Sequence, residues 1–427
     1  MHKILYRLST LKEKAMTDDT LFDSIDLPIP PLRDTLDFIP VQDGDERIVV
    51  IRDASGFVEQ VIAIPAEAMA LLSFFDGSLS ISDLRREILE HTGHDVDPAP
   101  MLDMVQRLDA VRFLDNARFE AHRNAIIDEF RRSDTRHAKN AGLAYPGDPA
   151  ELRGFLGSII TPEHGSIHAR PVGMIVPHID LRIGPEVYAA AYRELESMDF
   201  DTYVILGTAH HPHDDVFIMT DKDFETPLGI MRTDREFLSA LKSNCGVEFT
   251  SDDSPHMFEH SVEFQVLMLQ HLFGNERIRV VPILCGSLEF LYDDGTKPRE
   301  LERYKYFIDA MRQTISENGR RVCFIMSVDW SHIGRKFGDD TAAADMLDAV
   351  RESDNAMLEA LAAVDYDRFY EMLRASGNAT GIDGFSCIST FFDVVRPGAG
   401  KLFKYQQWHE EERESAVTFA ALGFYAE

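Results

Sequence analysis

The chain has 427 residues, with Lys plus Arg at 43 against Asp plus Glu at 73, a formal net charge of −30. A field of that sign repels phosphate backbones and anionic bilayers, which excludes general nucleic-acid binding and attachment to a membrane surface. Apolar residues at 44% and charged residues at 27% are ordinary globular usage, so the acidity belongs to a folded protein of two or three domains and not to a disordered tail.

Residues 1–15 are basic and the stretch from Met16 is acidic, which raises Met16 as a natural start; no function is read from the first 15 residues. The start lacks the apolar core of a signal peptide, and no apolar run approaches the ~18–20 residues that span a bilayer. Four cysteines (Cys245, Cys285, Cys323, Cys387) form no CxxC pair. Reduced thiols in a cytoplasm are the simplest reading.

After an irregular lead over 1–29, residues 30–133 read as a small winged-helix-like α+β unit. Strands are expected at Arg47–Arg52 and Phe57–Ile64, around the turn Asp53-Ala54-Ser55-Gly56. Helices are expected at about Ala66–Phe75, Ser82–His91 with Ser82 as N-cap, and Pro98–Leu108, followed by a β-wing in Val111–Phe119. FDGSLSISDLRREI (75–88) and MLDMVQRLDAVRFLD (101–115) resemble the PqqD-like peptide-recognition domains, which implies binding of a peptide as an added strand. A winged helix also binds DNA, but 17 basic against 26 acidic residues in 1–140 oppose that. A packing or dimerising unit is the plain alternative. The polar stretch 134–140 reads as a linker.

From residue 141 to 427 the texture is α/β: a central, mostly parallel or mixed sheet with flanking helices. Strands are expected at 172–176, 202–207, 216–220, 278–284 and 321–327, with helices after Pro185, Thr233, Ser261, Arg299 and Asp339. Several strands are continuous apolar runs, which predicts cover on both faces.

Histidines cluster just after these strands, where open α/β sheets place their ligands. His178 sits in VPHID after the first strand, and His210 and His211 follow the second in LGTAHHP. Only one of two adjacent side chains points at a given site. HHPHDD places His211, His213 and Asp215 on the first positions of an HxHxDH binuclear run, but Val216 replaces its last ligand. Glu259-His260-Ser261-Val262-Glu263 opens a helix with His260 and Glu263 on one face; the plain reading is a helix start capped by Ser261, with the acids answering the dipole. Asp329 and His332 in SVDWSHIG read as an acid that orients an imidazole, or as a loop hydrogen bond. Asp383 lies in Gly381-Ile382-Asp383-Gly384, a turn signature or a metal ligand. His178, one of His210 and His211, and Asp383 together supply the two imidazoles and one carboxylate of nonheme Fe(II) chemistry.

PHID, LGTAHHP, TPLG (226–229), EHSVEFQ (259–265), VPILCG (281–286) and VDWSHIG (328–334) resemble the Memo family in order and spacing. AGLAYPGD (141–148) and SAVTFAALGF (415–424) extend the resemblance over 141–427, while the N-terminal extension lies outside the usual pattern. The bacterial and archaeal branch is known as protein B of the AmmeMemoRadiSam system. The resemblance implies a fold like that of class III extradiol dioxygenases and a metal site on His178, His210 and Asp383, the last standing where the family usually has Cys followed by Gly. Cys favours copper(I), whereas Asp favours iron(II), manganese(II) or zinc, so iron is the expected ion. Cys387, one helical turn later, is out of register. By the same resemblance His332, or failing that His260, is the acid/base; spacing in the sequence makes Asp329 and Glu263 the groups that orient them. The implied activity is an oxidative or dioxygenase-like step on a small molecule or peptide, with a radical-SAM protein and an AMMECR1-type protein as partners. The alternative is a non-catalytic ligand- or peptide-binding module using the same pocket.

Overall fold

The computed structural model describes residues 21–43, 46–160, 169–211, 213–292 and 295–427. The basic stretch 1–15 and the reading of Met16 as a start lie outside the described residues. The chain divides into two compact units, Met1–Arg132 and Ser133–Glu427. Among the described residues no helix is long and apolar enough to cross a membrane.

The first unit is an antiparallel sheet of β1 (Leu36–Asp43), β2 (Glu46–Asp53) and β3 (Val61–Pro65), in that order, with helices Ile81–Thr92, Pro98–Ala110 and Ala117–Arg132. β1 carries Pro40, which an edge strand tolerates because it need not donate on its outer side. β3 starts later than the apolar pattern suggests, because the Asp53 carboxylate accepts from the amides of Ser55 (3.0 Å) and Val58 (2.9 Å) and prolongs the turn. The first helical segment is also shorter, a 3₁₀ turn at Ala66–Ala68 running into Met69–Leu72. Ser80, not Ser82, caps the helix Ile81–Thr92, in a reciprocal capping box with Asp83; the Ser82 hydroxyl bonds Asp26 instead.

Val111–Phe119 forms no wing. Arg112 turns the chain through the left-handed region (φ 60°), Leu114 makes a single bridge to Leu32, and the next helix begins at Ala117. The Asn116 side chain accepts from the amides of Arg118 (3.1 Å) and Phe119 (3.0 Å), a local cap that outcompetes strand pairing. Buried Arg33 pairs with Asp53 at 2.8 Å and lies 3.6 Å over the Phe119 ring, joining the strand turn to this last helix.

The second unit holds β4 (Thr135–Arg136), β5 (Pro171–Val176), β6 (Thr202–Thr208), β7 (Phe217–Met219), β8 (Asp223–Thr226), β9 (Gly229–Met231), β10 (Arg279–Cys285), β11 (Val322–Ser327), β12 (His332–Gly334), β13 (Ala399–Glu410) and β14 (Ser415–Tyr425). Its main sheet runs β12-β14-β5-β11-β6-β10-β7, with β13 on β14. β5, β11, β6 and β10 run parallel to one another, whereas β7 and β14 pair antiparallel at either side of them and β12 and β13 pair antiparallel with β14, so the sheet is mixed. Alternate residues feed two separate cores: Val204 and Leu206 pack with Phe307, Met357 and Phe391, while Tyr203 and Ile205 pack with Leu195, Val266 and Phe273. That is the two-sided cover expected from continuous apolar strands.

Helices Pro185–Tyr192, Arg235–Cys245, His260–Phe273 and Glu302–Asn318 stand where expected, and Leu347–Ala362 follows Asp339 after a 3₁₀ turn at Ala343–Asp345. Phe385–Val395 follows the Asp383 turn. The stretch read as a linker is part of this unit. Arg136 pairs β4 with β8, is fully buried, and forms an ion pair with equally buried Glu263. Because β5, β6 and β11 run parallel, their carboxyl ends share one edge of the sheet, and His178, His210 and Asp329 all emerge there.

Candidate metal centre

His178 leaves the end of β5 and is 2% exposed. Its Nδ1 lies 3.1 Å from the Ser327 carbonyl oxygen, which can only accept, so Nδ1 carries a proton and Nε2 is the nitrogen left for the site. Asp329, at the end of β11, accepts from the amides of His178 (2.9 Å) and Ile179 (3.1 Å). Asp329 therefore buttresses the His178 backbone and does not orient His332, a correction to the expectation. The two strand ends are side by side, and this short link is the nearest partner for its carboxylate.

His210 leaves the end of β6. Its amide donates to Glu259 Oε2 (2.9 Å) and its Nδ1 to Glu259 Oε1 (3.0 Å), which turns Nε2 toward the site. Glu259, 1% exposed, caps the helix His260–Phe273 by accepting from the Ser261 amide at 3.0 Å. Ser261 is not the cap; its hydroxyl donates to the Thr208 carbonyl at 2.9 Å and pins the helix start to the end of β6. A Cβ on Gly207 would lie 2.7 Å from Ser261 Oγ and 2.8 Å from Val262 Cγ2, so this approach requires glycine. Gly207→Ala is expected to lower stability by ~1–3 kcal/mol, read as a shift in urea unfolding midpoint.

Asp383 Oδ2 lies 3.0 Å from His178 Nε2 and 3.4 Å from His210 Nε2, and both its carboxylate oxygens are shielded from solvent with no donor other than these imidazoles. A Cβ on Gly384 would come within 1.9 Å of Val328 Cγ1, so the Asp383 turn also depends on glycine to sit against the end of β11. Burial opposes the Asp383 charge, but the imidazoles of His178, His210 and His332 outweigh it and hold the carboxyl well below its usual range. Burial likewise pushes His178 and His210 down, yet Asp329 and Asp383 for the first, and Glu259 and Asp383 for the second, raise both above the usual value.

Two imidazole nitrogens thus face a buried carboxylate that no other donor reaches. With the rings deprotonated these groups could hold a cation, and a donor set of imidazole nitrogen and carboxylate oxygen would suit iron(II), manganese(II) or zinc. Ligand atoms bound at ~2.1 Å to one ion stand ~3.0 Å apart at right angles and ~3.4 Å at a tetrahedral angle, the separations found here. One ring nitrogen from each of His178, His210 and His260 lies within 4.8 Å of the other two. Of the adjacent pair, His210 joins this group, while His211 lies against Phe258 with ring centroids 6.2 Å apart.

The remaining expected site residues fall elsewhere. Glu263 is turned away from the imidazoles: it takes Arg136, the Tyr145 hydroxyl and the amides of Asn140 (3.0 Å) and Lys139 (3.2 Å), so it orients no proton-transfer group. Being on the same helix face as His260 did not decide its partner; the buried guanidinium did. Asp215 is paired with Arg303 Nε at 2.7 Å, and His213 lines a separate cavity with Asp214 and Thr250, so HHPHDD builds no binuclear site. His332 Nδ1 faces the carbonyls of Trp330 (3.0 Å) and Gly381 (2.9 Å), leaving Nε2 as its open nitrogen. Cys387 Sγ lies 3.9 Å from Thr208 Oγ1, and burial raises its thiol well above the usual value. The sequence reading missed Gln265, whose amide nitrogen donates to the Pro177 carbonyl (2.9 Å) and Ser327 Oγ (2.8 Å); a glutamine amid Val262, Phe264, Val266 and Leu267 is its signal.

The family model of Memo-like proteins matches residues 136–423. The chain belongs to the Memo family. A MEMO1 family protein of Aquifex aeolicus is 30% identical over 380 residues, covering 88% of this chain and 96% of that one. A Thermus thermophilus member is 25% identical over 339 residues (79% and 97%), and one from Methanopyrus kandleri 29% over 276 residues (62% and 89%). The two bacterial alignments are longer than the second unit of this Memo protein and run into the first, although the family model begins only at residue 136.

Proposed function

We propose that this Memo protein is a mononuclear metal enzyme, its ion held by His178, His210 and Asp383, acting oxidatively on a small molecule or peptide. The observation that carries this reading is the buried Asp383 carboxylate, which has the two Nε2 atoms at 3.0 and 3.4 Å and no other donor. Iron(II) is the first choice, since a carboxylate with two imidazoles suits it better than copper(I). When bound, such an ion supplies Lewis-acid polarisation and oxygen activation.

The chain's own groups supply the rest. Asp329 and the Ser327 carbonyl fix His178, and Glu259 fixes His210, each through the nitrogen or amide turned away from Asp383. His332 is the proton-handling group: its Nδ1 is committed to two carbonyls, so Nε2 is the nitrogen left to exchange a proton with a substrate hydroxyl. His332→Ala should lower oxygen consumption by the iron-loaded protein, screened against oxygen-dependent substrates, by ~10²–10⁴-fold. Metal content should stay at the wild-type level; its loss would move His332 into the ligand set.

A further inference from the structure

His260 offers more than a nearby imidazole. Its Nδ1 lies 3.3 Å from Glu259 Oε1, the same oxygen that holds His210 Nδ1 at 3.0 Å. One buried carboxylate therefore holds two rings by the same atom, and the rings lie nearly parallel, 4.9 Å apart with 22° between planes. Against His178 the His260 ring is perpendicular, at 5.2 Å. With both Nδ1 atoms turned to Glu259, the Nε2 atoms of His210 and His260 remain for a shared partner.

Glu259 itself cannot drift. Its oxygens also take the amides of His210 (2.9 Å) and Ser261 (3.0 Å), and the helix behind it is pressed onto β6 across the glycine at position 207. One ring nitrogen from each of His178, His210 and His260 lies within 4.8 Å of the other two, close enough for a single ion to draw all three together. His332, by contrast, is tied to Trp330 and Gly381 and stands outside that group.

We propose that His260 is a ligand of the ion, making the centre three imidazoles and one carboxylate, with Glu259 the positioning residue for two of them. This deepens the reading above and rests on it. The consequence is a substrate class. Four protein ligands leave two of six positions where a two-imidazole, one-carboxylate set leaves three. A substrate that chelates through two oxygens then fills the ion and excludes a third small ligand. The centre is suited to substrates that bind through a single atom beside dioxygen, and not to chelating catechols.

The test is a titration of metal-free full-length protein with cobalt(II), whose visible spectrum reports coordination. Wild type is expected to bind about one cobalt(II) per chain. His260→Ala should weaken binding by more than the ~10–100-fold that loss of an outer partner costs, and should change the spectrum. His332→Ala should leave both unaltered. His260→Gln, checked for a wild-type melting temperature without metal, gives the same readout if the alanine variant fails to fold. Wild-type affinity and spectrum in either folded His260 variant would overturn the assignment while leaving the metal centre standing. Absence of cobalt binding in the wild type would overturn both.

Discussion

Asp383→Ala is expected to empty the centre. No donor other than the imidazoles reaches the carboxylate, so its charge is answered by those rings and by the ion proposed among them. Removing it takes away the one anionic donor of the proposed set, and the His178–His210 pair alone attracts a divalent ion far less. Affinity for iron(II), measured by calorimetric titration under nitrogen, should fall well beyond the ~10–100-fold typical of outer-partner mutations. Asp383→Cys restores an anionic donor but a soft one, so it should bind a metal again with preference moved toward copper(I) and away from iron(II) and manganese(II). An alanine variant that binds iron(II) as tightly as wild type would remove Asp383 from the ligand set.

The second large effect is on stability. Arg136 and Glu263 are both fully buried and paired, and breaking such a pair leaves a charge without compensation. Glu263→Ala and Arg136→Ala should each cost ~3–5 kcal/mol in urea unfolding. The arginine also donates to the carbonyls of His256 (3.1 Å) and Glu259 (2.8 Å), so its loss loosens the segment leading into the metal centre as well. Burial opposes the Glu263 charge, but Arg136 and the Tyr145 hydroxyl outweigh it and hold the carboxyl below its usual range. A carboxyl depressed in the folded state stabilises fully above its unfolded value of ~4.3, and this contribution is lost as pH falls through the folded value. The acid limb of the stability profile should therefore flatten in Glu263→Gln. A loss under about 1 kcal/mol in the alanine variants would show that the pair is not an anchor.

The parts of the molecule legible in the sequence are those written locally. Continuous apolar runs mark β5, β6, β10 and β11, and His178, His210 and Asp329 are recognisable because each follows such a run directly. What decides their partners is not local. Asp329 and His178 are 151 residues apart, and Arg136 and Glu263 are 127 apart, so spacing alone paired Asp329 with His332 and Glu263 with His260. The expected wing failed for a local reason of another kind, since apolar alternation across Val111–Phe119 is overruled by the Asn116 cap. β13 escaped notice because AGKLFKYQQWHE is half-buried along most of its length and shows no clean alternation of apolar and polar residues.

The most direct test of a metal centre at these strand ends is elemental analysis of the protein purified under nitrogen with no metal added. The arrangement of His178, His210 and Asp383 predicts about one iron per chain. No stoichiometric metal, with none taken up on reconstitution with iron(II), manganese(II) or zinc, would contradict it.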